Sequence, residues 1–188
     1  MTQWPESLDP GRAPPTDVRW LPAWISPAQF SALADLVGFL DDARVPYAVS
    51  GGLAGNLAGS QWPLHDIDVD VPAAALPLLA QHYAPWILSG PGAYEDEEFA
   101  LQLLQLRLPE VGIDIAAAES IVLRDPQGRL HSWPSDLASF ELRTLGPLSV
   151  RVHPLSSIRA YKRMIDRTAD LADLDRLAAT MVEDRAAG

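Results

Sequence analysis

Three aspartates occupy alternate positions in residues 66–71, and each is followed by Ile or Val. Because side chains along a β-strand point alternately to its two faces, Asp66, Asp68 and Asp70 are expected on one face and the apolar residues on the other. Three carboxylates along one face repel each other, which destabilises a strand that has only a structural role. Carboxylate oxygens are preferred ligands of Mg²⁺, and a divalent cation would remove this repulsion. The pattern therefore predicts a metal site on this strand.

A glycine pair, Gly51-Gly52, precedes the aspartates, and thirteen residues separate it from Asp66. The pair lies where a short apolar strand is expected to turn into a helix rich in small residues. Backbone N–H groups and the helix dipole at such a turn favour a phosphate group. Ser50 and Gly52 are candidates for triphosphate contact, by hydroxyl and by backbone N–H respectively. A tight turn between strand and helix also needs glycine, even without a ligand. The turn and the phosphate site are compatible interpretations. A metal site and a phosphate site this close together predict a site for a metal-bound nucleoside triphosphate.

Substitution at a phosphate of such a nucleotide needs an attacking group placed in line with that phosphate and neutralisation of the developing charge. Two divalent ions about 4 Å apart provide this, and holding them takes about three carboxylates. Asp66 and Asp68 are roughly 6–7 Å apart at Cα on one strand face, so the third must come from a neighbouring strand. Asp114 is the candidate, because it lies in a strand-like run, residues 111–115, with apolar residues on both sides.

The segment of residues 47–72 resembles the signature of the nucleotidyltransferase superfamily related to DNA polymerase beta. That signature is a glycine followed by Gly or Ser, about a dozen residues, and then Asp-x-Asp between apolar residues. Here Gly51-Gly52 and Asp66-Ile67-Asp68 match it. The His-Asp-Ile-Asp form is most similar to small antibiotic nucleotidyltransferases that modify aminoglycosides and lincosamides, and to their uncharacterised relatives.

The resemblance implies metal ligands and a base. Asp66, Asp68 and Asp114 are expected to bind two Mg²⁺ ions, with ATP or another NTP as the donor substrate. Asp114 matches the third acidic residue of the family, which also takes the proton of the acceptor hydroxyl, as a carboxylate beside a metal can do.

Residues 153–173 resemble the helical segment that follows the catalytic core in these proteins, where a Lys precedes an Arg-x-Lys-Asp-like cluster. Lys162 is therefore expected to reach the triphosphate as a point charge. Ala169 stands where a second Lys is usual, so either Arg163 or Arg167 has to supply the second basic contact. The alternative for Lys162 is a solvated helix face.

Two further residues of this region have open roles. The thirteen-residue gap places the metals on Asp66 and Asp68, so Asp70 either supports them from behind or is exposed. His65 precedes the first metal ligand, and it either orients a carboxylate or touches phosphate, or is structural.

The composition and charge limit the classes of protein to which the chain can belong. The chain has 188 residues, a net charge of −11 and no cysteine, which excludes disulfides and thiolate metal sites and fits the cytoplasm. No apolar run reaches about 18 residues, and the N-terminus lacks the features of a secretory signal. The sequence has no basic patch for a phosphate backbone, so nucleic acid is not the expected partner. The acidity either aids solubility only or forms an acidic cleft that attracts a cationic small substrate. Residues 95–98 are a candidate lining for such a cleft, and the alternative for them is a solvated loop.

The elements around these residues predict an α/β (α+β) architecture with a small mixed sheet flanked by helices. The resemblance implies that this is the nucleotidyltransferase fold, with C-terminal helices closing one side of the cleft. Ser26 and Gln29 form a capping box for a helix ending near Ala43. Three hairpins are expected in the second half of the chain, and turns at glycine and proline clusters such as residues 89–92. The expected division is an irregular arm (1–24), a catalytic core (25–153) and a C-terminal helical segment packed on the core (154–188).

The expected activity is Mg²⁺-dependent transfer of a nucleoside monophosphate, AMP by preference, from an NTP to a hydroxyl of a small acceptor. An aminoglycoside-like or lincosamide-like acceptor is the first hypothesis. The second is a toxin–antitoxin type nucleotidyltransferase acting on tRNA or protein, and the third is an inactive nucleotide-binding protein. The sequence leaves the acceptor, the base and the oligomeric state open.

Overall fold

The computed structural model describes residues 19–187, with side chains described as far as residue 180, so most of the predicted N-terminal arm lies outside it. The described residues form one nine-stranded sheet and five α-helices. The strands are β1 (Ala48–Val49), β2 (Asp66–Val71), β3 (Ile87–Glu95), β4 (Phe99–Leu108), β5 (Val111–Ala117), β6 (Val122–Arg124), β7 (Leu130–Ser132), β8 (Glu141–Leu145) and β9 (Leu148–Val152). The helices are α1 (Pro27–Asp42), α2 (Gly51–Leu57), α3 (Leu76–His82), α4 (Leu155–Met164) and α5 (Thr168–Ala187).

The sheet is mixed, as the sequence predicted, although it is larger than expected. Its order is β7-β6-β4-β5-β2-β1-β9-β8, and β3 pairs with β4 outside this path. Strand β2 runs parallel to β5, and β1 runs parallel to β9, while the other pairs are antiparallel. The three predicted hairpins are confirmed, as β4–β5, β6–β7 and β8–β9. Because β2 and β5 are direct neighbours, residues at equal heights on these two strands lie side by side.

The alternation along β2 separates the core from the functional face. Ile67 and Val71 have no exposed surface, and they join a cluster that includes Leu33 and Leu36 of α1, which are equally buried. The aspartates between them point to the opposite face. Helix α1 begins with the predicted capping box, in which the side chain of Ser26 accepts a hydrogen bond from the backbone of the third helical residue. The apolar side of the sheet thus rests on α1 and leaves the carboxylate side free.

One expected turn is wrong. Residues 89–92 contain Gly and Pro, but they lie within β3, where the pairing with β4 shifts register twice. Gly90 has φ +82°, and a Cβ there would lie 2.1 Å from the carbonyl oxygen of Leu103. Glycine and proline here allow a bulged strand to lie close against its neighbour instead of ending it.

Helices α4 and α5 complete the core. Ile158 of α4 and Leu174 of α5 are buried in the same apolar cluster as the sheet. Asp173 of α5 also accepts a hydrogen bond of 2.6 Å from Ser60, in the loop after α2. The division into a core and a C-terminal segment stays a prediction. None of the helices in residues 19–187 has the length and apolar character that crossing a bilayer requires.

Candidate active site

Three carboxylates converge on the free face of β2 and β5. Asp68 and Asp114 are register partners on these parallel strands, and Asp66 lies two residues before Asp68 on the same face. Each offers one carboxylate oxygen to a group in which all the oxygens lie within 4.8 Å of one another. Asp66 is exposed and the other two are half-buried. Oxygens at this spacing can share divalent cations, which prefer such ligands.

The carboxylates raise one another's proton affinity. Burial raises the pKa of Asp68 to about 7, and repulsion from Asp66, Asp114 and Asp70 adds to the shift, while Lys162 opposes it. Burial also raises the pKa of Asp114, although Gln105 opposes that shift by donating a hydrogen bond of 3.2 Å to its carboxylate. These carboxylates resist full ionisation in the absence of metal. A divalent cation among them would strongly stabilise their ionised form.

The turn formed by residues 50–52, called here the glycine turn, lies directly against the metal-ligand candidates. The backbone N–H of Ser50 donates to the carbonyl of Asp68 at 2.9 Å. Gly51 has φ +58°, and a Cβ on it would lie 1.7 Å from Oδ2 of Asp68. Any other residue would therefore be strained and would displace the carboxylate. At Gly52, by contrast, a Cβ would meet nothing within 4 Å, so the backbone there borders open space.

Asp70 is neither exposed nor part of the converging group. It is 6% exposed, and its Oδ1 accepts a hydrogen bond of 3.3 Å from the hydroxyl of Ser50. Its Oδ2 accepts a bond of 2.6 Å from Ser135 and lies 2.9 Å from Nε2 of His153. The same Nε2 lies 2.7 Å from the hydroxyl of Ser135, so Asp70, Ser135 and His153 form one hydrogen-bonded group. Asp70 thus lies behind the candidate metal ligands, which is one of the two places expected for it.

All the predicted site residues line one open cavity of about 1020 Å³. Around the glycine turn and the carboxylates lie further acidic and aromatic side chains. They include Tyr94, Asp96, Glu98, Phe99, Trp133 and Asp136. Part of the acidic run of residues 95–98 therefore borders the cavity. This volume lies at the upper end of the range for ligand pockets, about 300–1,000 Å³.

Comparison with solved structures identifies the architecture. A proposed nucleotidyltransferase from Thermotoga maritima superposes with a TM-score of 0.64 at 18% identity, over 83% of this chain and 96% of that one. The chain has the nucleotidyltransferase fold. The antibiotic-resistance enzyme ANT(2'')-Ia, in complex with adenylyl-2''-tobramycin, gives a TM-score of 0.55 at 16% identity, over 82% of this chain and 90% of that one. The lincosamide antibiotic adenylyltransferase LnuA, bound to lincomycin, gives a TM-score of 0.50 at 16% identity, over 78% of this chain and 96% of that one. No protein-family model and no curated protein sequence matches the chain.

Within this nucleotidyltransferase fold, Lys162 lies at the cavity wall and not on a solvated helix face. It is 6% exposed, it forms an ion pair with Asp170, and its Nζ lies 5.8 Å from the ring centre of Trp62. The structure also separates the two arginines that the sequence left open. Arg167 lines the cavity and forms a two-bond ion pair with Glu98, whereas Arg163 pairs with Asp175 outside it. Arg167 is therefore the arginine near enough to act on a ligand.

His65 is exposed and borders the cavity beside Asp66. Sequence reasoning missed Ser135, and it did not predict that His153 contacts Asp70. Ser135 is 65 positions from Asp70 in the chain and lies in a loop, so no spacing pattern could have indicated it. The repeat of Asp at every second position did point to the carboxylate face as a whole, of which Asp70 is the buried member.

Proposed function

We propose that this protein is a metal-dependent nucleotidyltransferase that moves a nucleoside monophosphate from an NTP to a hydroxyl group of a small molecule. The observation that carries the proposal is the convergence of Asp66, Asp68 and Asp114 beside the glycine turn, inside one cavity. This donor set consists of oxygens only, which suits Mg²⁺. The fold is compatible with the activity but does not by itself establish it.

The proposed roles follow from position. Asp66, Asp68 and Asp114 would hold two Mg²⁺ ions, which supply charge neutralisation at the attacking and leaving oxygens. The glycine turn and Lys162 would bind the triphosphate of ATP or another NTP, and His65, beside Asp66, would assist there. Asp114 would take the proton of the acceptor hydroxyl, as a carboxylate beside a metal can do. The acceptor oxygen then bonds to the α-phosphorus, the bond to the β-phosphate oxygen breaks, and pyrophosphate leaves.

The acceptor proposed is aminoglycoside-like or lincosamide-like, with AMP as the transferred group. Support comes from the acidic and aromatic side chains that line the cavity, which include Asp96, Asp136 and Trp133. Carboxylates and aromatic faces both attract cationic ligands, and a net charge of −11 opposes binding of a phosphate backbone. The neighbours bound to lincomycin and to adenylyl-tobramycin act on molecules of this kind.

The test is incubation of the protein with each α-³²P-labelled NTP, Mg²⁺ and a panel of aminoglycosides, lincosamides and tRNA. We expect a labelled small-molecule product and equimolar pyrophosphate, both abolished by EDTA and restored by Mg²⁺. Transfer to tRNA alone would overturn the proposed acceptor class, but the proposed nucleotidyl transfer would still stand. Absence of both labelled product and pyrophosphate, together with absence of Mg²⁺-dependent NTP binding in calorimetry, would overturn the reaction itself.

A further inference from the structure

A row of polar side chains crosses four strands of the sheet at one height. Ser89 of β3 pairs with Gln105 of β4, and Gln105 pairs with Asp114 of β5. Asp114 pairs in turn with Asp68 of β2. Side chains of directly opposite residues lie on one face of a sheet. Of these four residues, Asp68 and Asp114 line the cavity and the other two do not. The row therefore connects a candidate metal ligand with residues outside the cavity.

Gln105 contacts both carboxylate oxygens of Asp114. Its Nε2 lies 3.2 Å from Oδ1 and 3.4 Å from Oδ2 of that residue. A carboxylate held at both oxygens rotates less freely than one held at a single oxygen. At its other end, the amide oxygen of Gln105 accepts a hydrogen bond of 2.8 Å from the hydroxyl of Ser89. The amide group is thus held on both sides, by Asp114 and by Ser89.

The bulge in β3 is what brings Ser89 to this place. Ile87 pairs with Leu106, and Ser89 pairs with the preceding residue of β4, Gln105, so β3 uses two residues where β4 uses one. In a regular pairing Leu88 would lie opposite Gln105, and its side chain has no group that could bind the amide. Leu88 is instead 57% exposed. Bulges often redirect a side chain beside an active site, and this one supplies a hydroxyl to Gln105.

We propose that Gln105 is a positioning residue that fixes the orientation of the Asp114 carboxylate, and that Ser89 holds Gln105 in place. The inference rests on the proposed function for what Asp114 does, which is to bind Mg²⁺ and take a proton. Gln105 and Ser89 act through Asp114, since neither lines the cavity. Hydrogen-bond partners behind a ligating carboxylate orient it, and their loss typically lowers metal affinity or activity about tenfold to a hundredfold.

Ser89→Ala distinguishes positioning from a purely electrostatic effect of the Gln105 amide on Asp114. This substitution leaves the NH₂ donor of Gln105 in the protein and removes only its anchor. If Gln105 acts by position, Ser89→Ala matters, but only while Gln105 is present, so it adds nothing to Gln105→Met. If the amide acts by charge alone, Ser89→Ala changes little. Because Ser89 is exposed, its replacement should leave the fold intact.

The first experiment needs neither metal nor nucleotide. NMR measures the exchange with water of the Gln105 side-chain NH₂ protons, which are assigned by their loss in Gln105→Met. In Ser89→Ala this exchange should quicken about fivefold, as expected when one modest hydrogen bond no longer holds the amide. Ser89→Thr keeps the hydroxyl and should match the wild type. The side-chain amide of Gln102, exposed and three positions away on the opposite face of β4, is the internal control and should not change. Unchanged exchange of Gln105 in Ser89→Ala overturns the proposal.

The second experiment is calorimetric titration of the full chain with Mg²⁺ alone. We expect the Kd to rise at least about tenfold in Gln105→Met and about fivefold in Ser89→Ala, and to stay at the wild-type value in Ser89→Thr and in the control Gln102→Met. The double variant should match Gln105→Met. A double variant weaker than Gln105→Met by the full factor of Ser89→Ala means that the two residues act independently, which overturns the proposal. If the wild type binds no Mg²⁺, the proposed function fails on its own, and amide exchange still decides whether Ser89 positions Gln105.

The third experiment uses the enzyme with saturating Mg²⁺ and a working acceptor. Gln105→Met should lower kcat about tenfold to a hundredfold and leave KM for the NTP within about twofold, because the proposed triphosphate contacts of the glycine turn and Lys162 are intact. A raised KM with unchanged kcat overturns the proposal. Melting temperatures check the fold of each variant. If Gln105→Met does not fold, the comparison of Ser89→Ala with Ser89→Thr decides, since kcat should fall about fivefold in the first and not in the second.

Discussion

Asp68 and Asp114 face each other as register partners on two parallel strands, although 46 positions separate them in the chain. Their pairing determines which carboxylate oxygens meet at the candidate metal site. It also gives the two residues different surroundings, since Asp68 lies against the glycine turn whereas Asp114 accepts a hydrogen bond from Gln105.

Replacing Asp114 by asparagine should abolish transfer and leave the fold intact. Asparagine keeps the size of the side chain but cannot take the acceptor proton, and loss of a general base costs about a hundredfold or more in rate. The measurement is kcat for labelled product, with circular dichroism as the check on folding. Asp42→Asn, an exposed residue at the end of α1, serves as the control and should keep full activity. Full activity in Asp114→Asn would refute its assignment as the base.

The stability of the metal-free protein should fall as pH rises from about 4 to about 7. Folding raises the pKa of Asp68 from its usual 3.8 to about 7, so the folded state binds more protons than the unfolded state in this range. Stability from this group is thus complete below the unfolded pKa and is lost as pH rises through the folded pKa. Thermal unfolding in EDTA at several pH values measures it, and Asp68→Asn should reduce the dependence.

Mg²⁺ should reverse that trend. Because the ion competes with protons for the same oxygens of Asp66, Asp68 and Asp114, it should raise the melting temperature more at pH 7.5 than at pH 5. Calorimetric titration with Mg²⁺ alone should show tighter binding at the higher pH. Equal Mg²⁺ stabilisation at both pH values, or none at either, would argue against a metal site on these carboxylates.

Gly51→Ala and Gly52→Ala form a matched pair with opposite expectations. At Gly51 an alanine Cβ would overlap Asp68 and would require a left-handed backbone, so we expect a loss of more than about 1 kcal/mol of stability and no Mg²⁺ response. At Gly52 a Cβ meets no protein atom, and alanine favours the helix, so the fold should be as stable or more stable. Lost NTP binding in a stable Gly52→Ala protein would indicate that the ligand needs this space. Melting curves with and without Mg²⁺, followed by NTP titration, distinguish the cases.

Lys162→Met should weaken NTP binding. The ammonium group lies in the cavity wall beside Trp62 and Tyr161, and the loss of a charged contact to phosphate corresponds to about a tenfold to a hundredfold rise in KM. Methionine retains the apolar stem of the lysine as far as Cε and removes the ammonium group. Arg163→Met, on the same helix but outside the cavity, is the control, and its KM for NTP should be unchanged. Equal effects of the two substitutions would remove Lys162 from the triphosphate site.

Much of this arrangement is local in the sequence and was therefore predictable. The alternation of Asp with Ile and Val determines the two faces of β2, and the capping box determines where α1 begins. The glycine pair and its spacing from Asp66 also indicated that the turn lies near the aspartates, as the contact between Gly51 and Asp68 shows. These features depend on periods of two residues or on short turns, which a chain specifies without reference to distant segments.

The remaining features depend on tertiary contacts. The register of β2 against β5, the burial of Lys162, and the approach of Ser135 and His153 to Asp70 each join residues far apart in the chain. The turn predicted at residues 89–92 is wrong for a related reason, since the close pairing of β3 with β4 overrides the turn tendency of Gly90 and Pro91. Sequence patterns indicate which residue types are present, but packing decides which of them meet.

The parallel pairing of β1 with β9 has a consequence for the order in which a newly made chain matures. Strand β1 and the glycine turn are synthesised early, but the neighbour that fixes their outer edge, β9 with His153 directly after it, emerges about a hundred residues later. Because chains leave the ribosome N-terminus first, an incomplete chain ending before β9 would contain the three aspartates without that edge. The proposed nucleotidyltransferase activity is therefore expected only in chains synthesised through β9, and products that end before β9 should lack it.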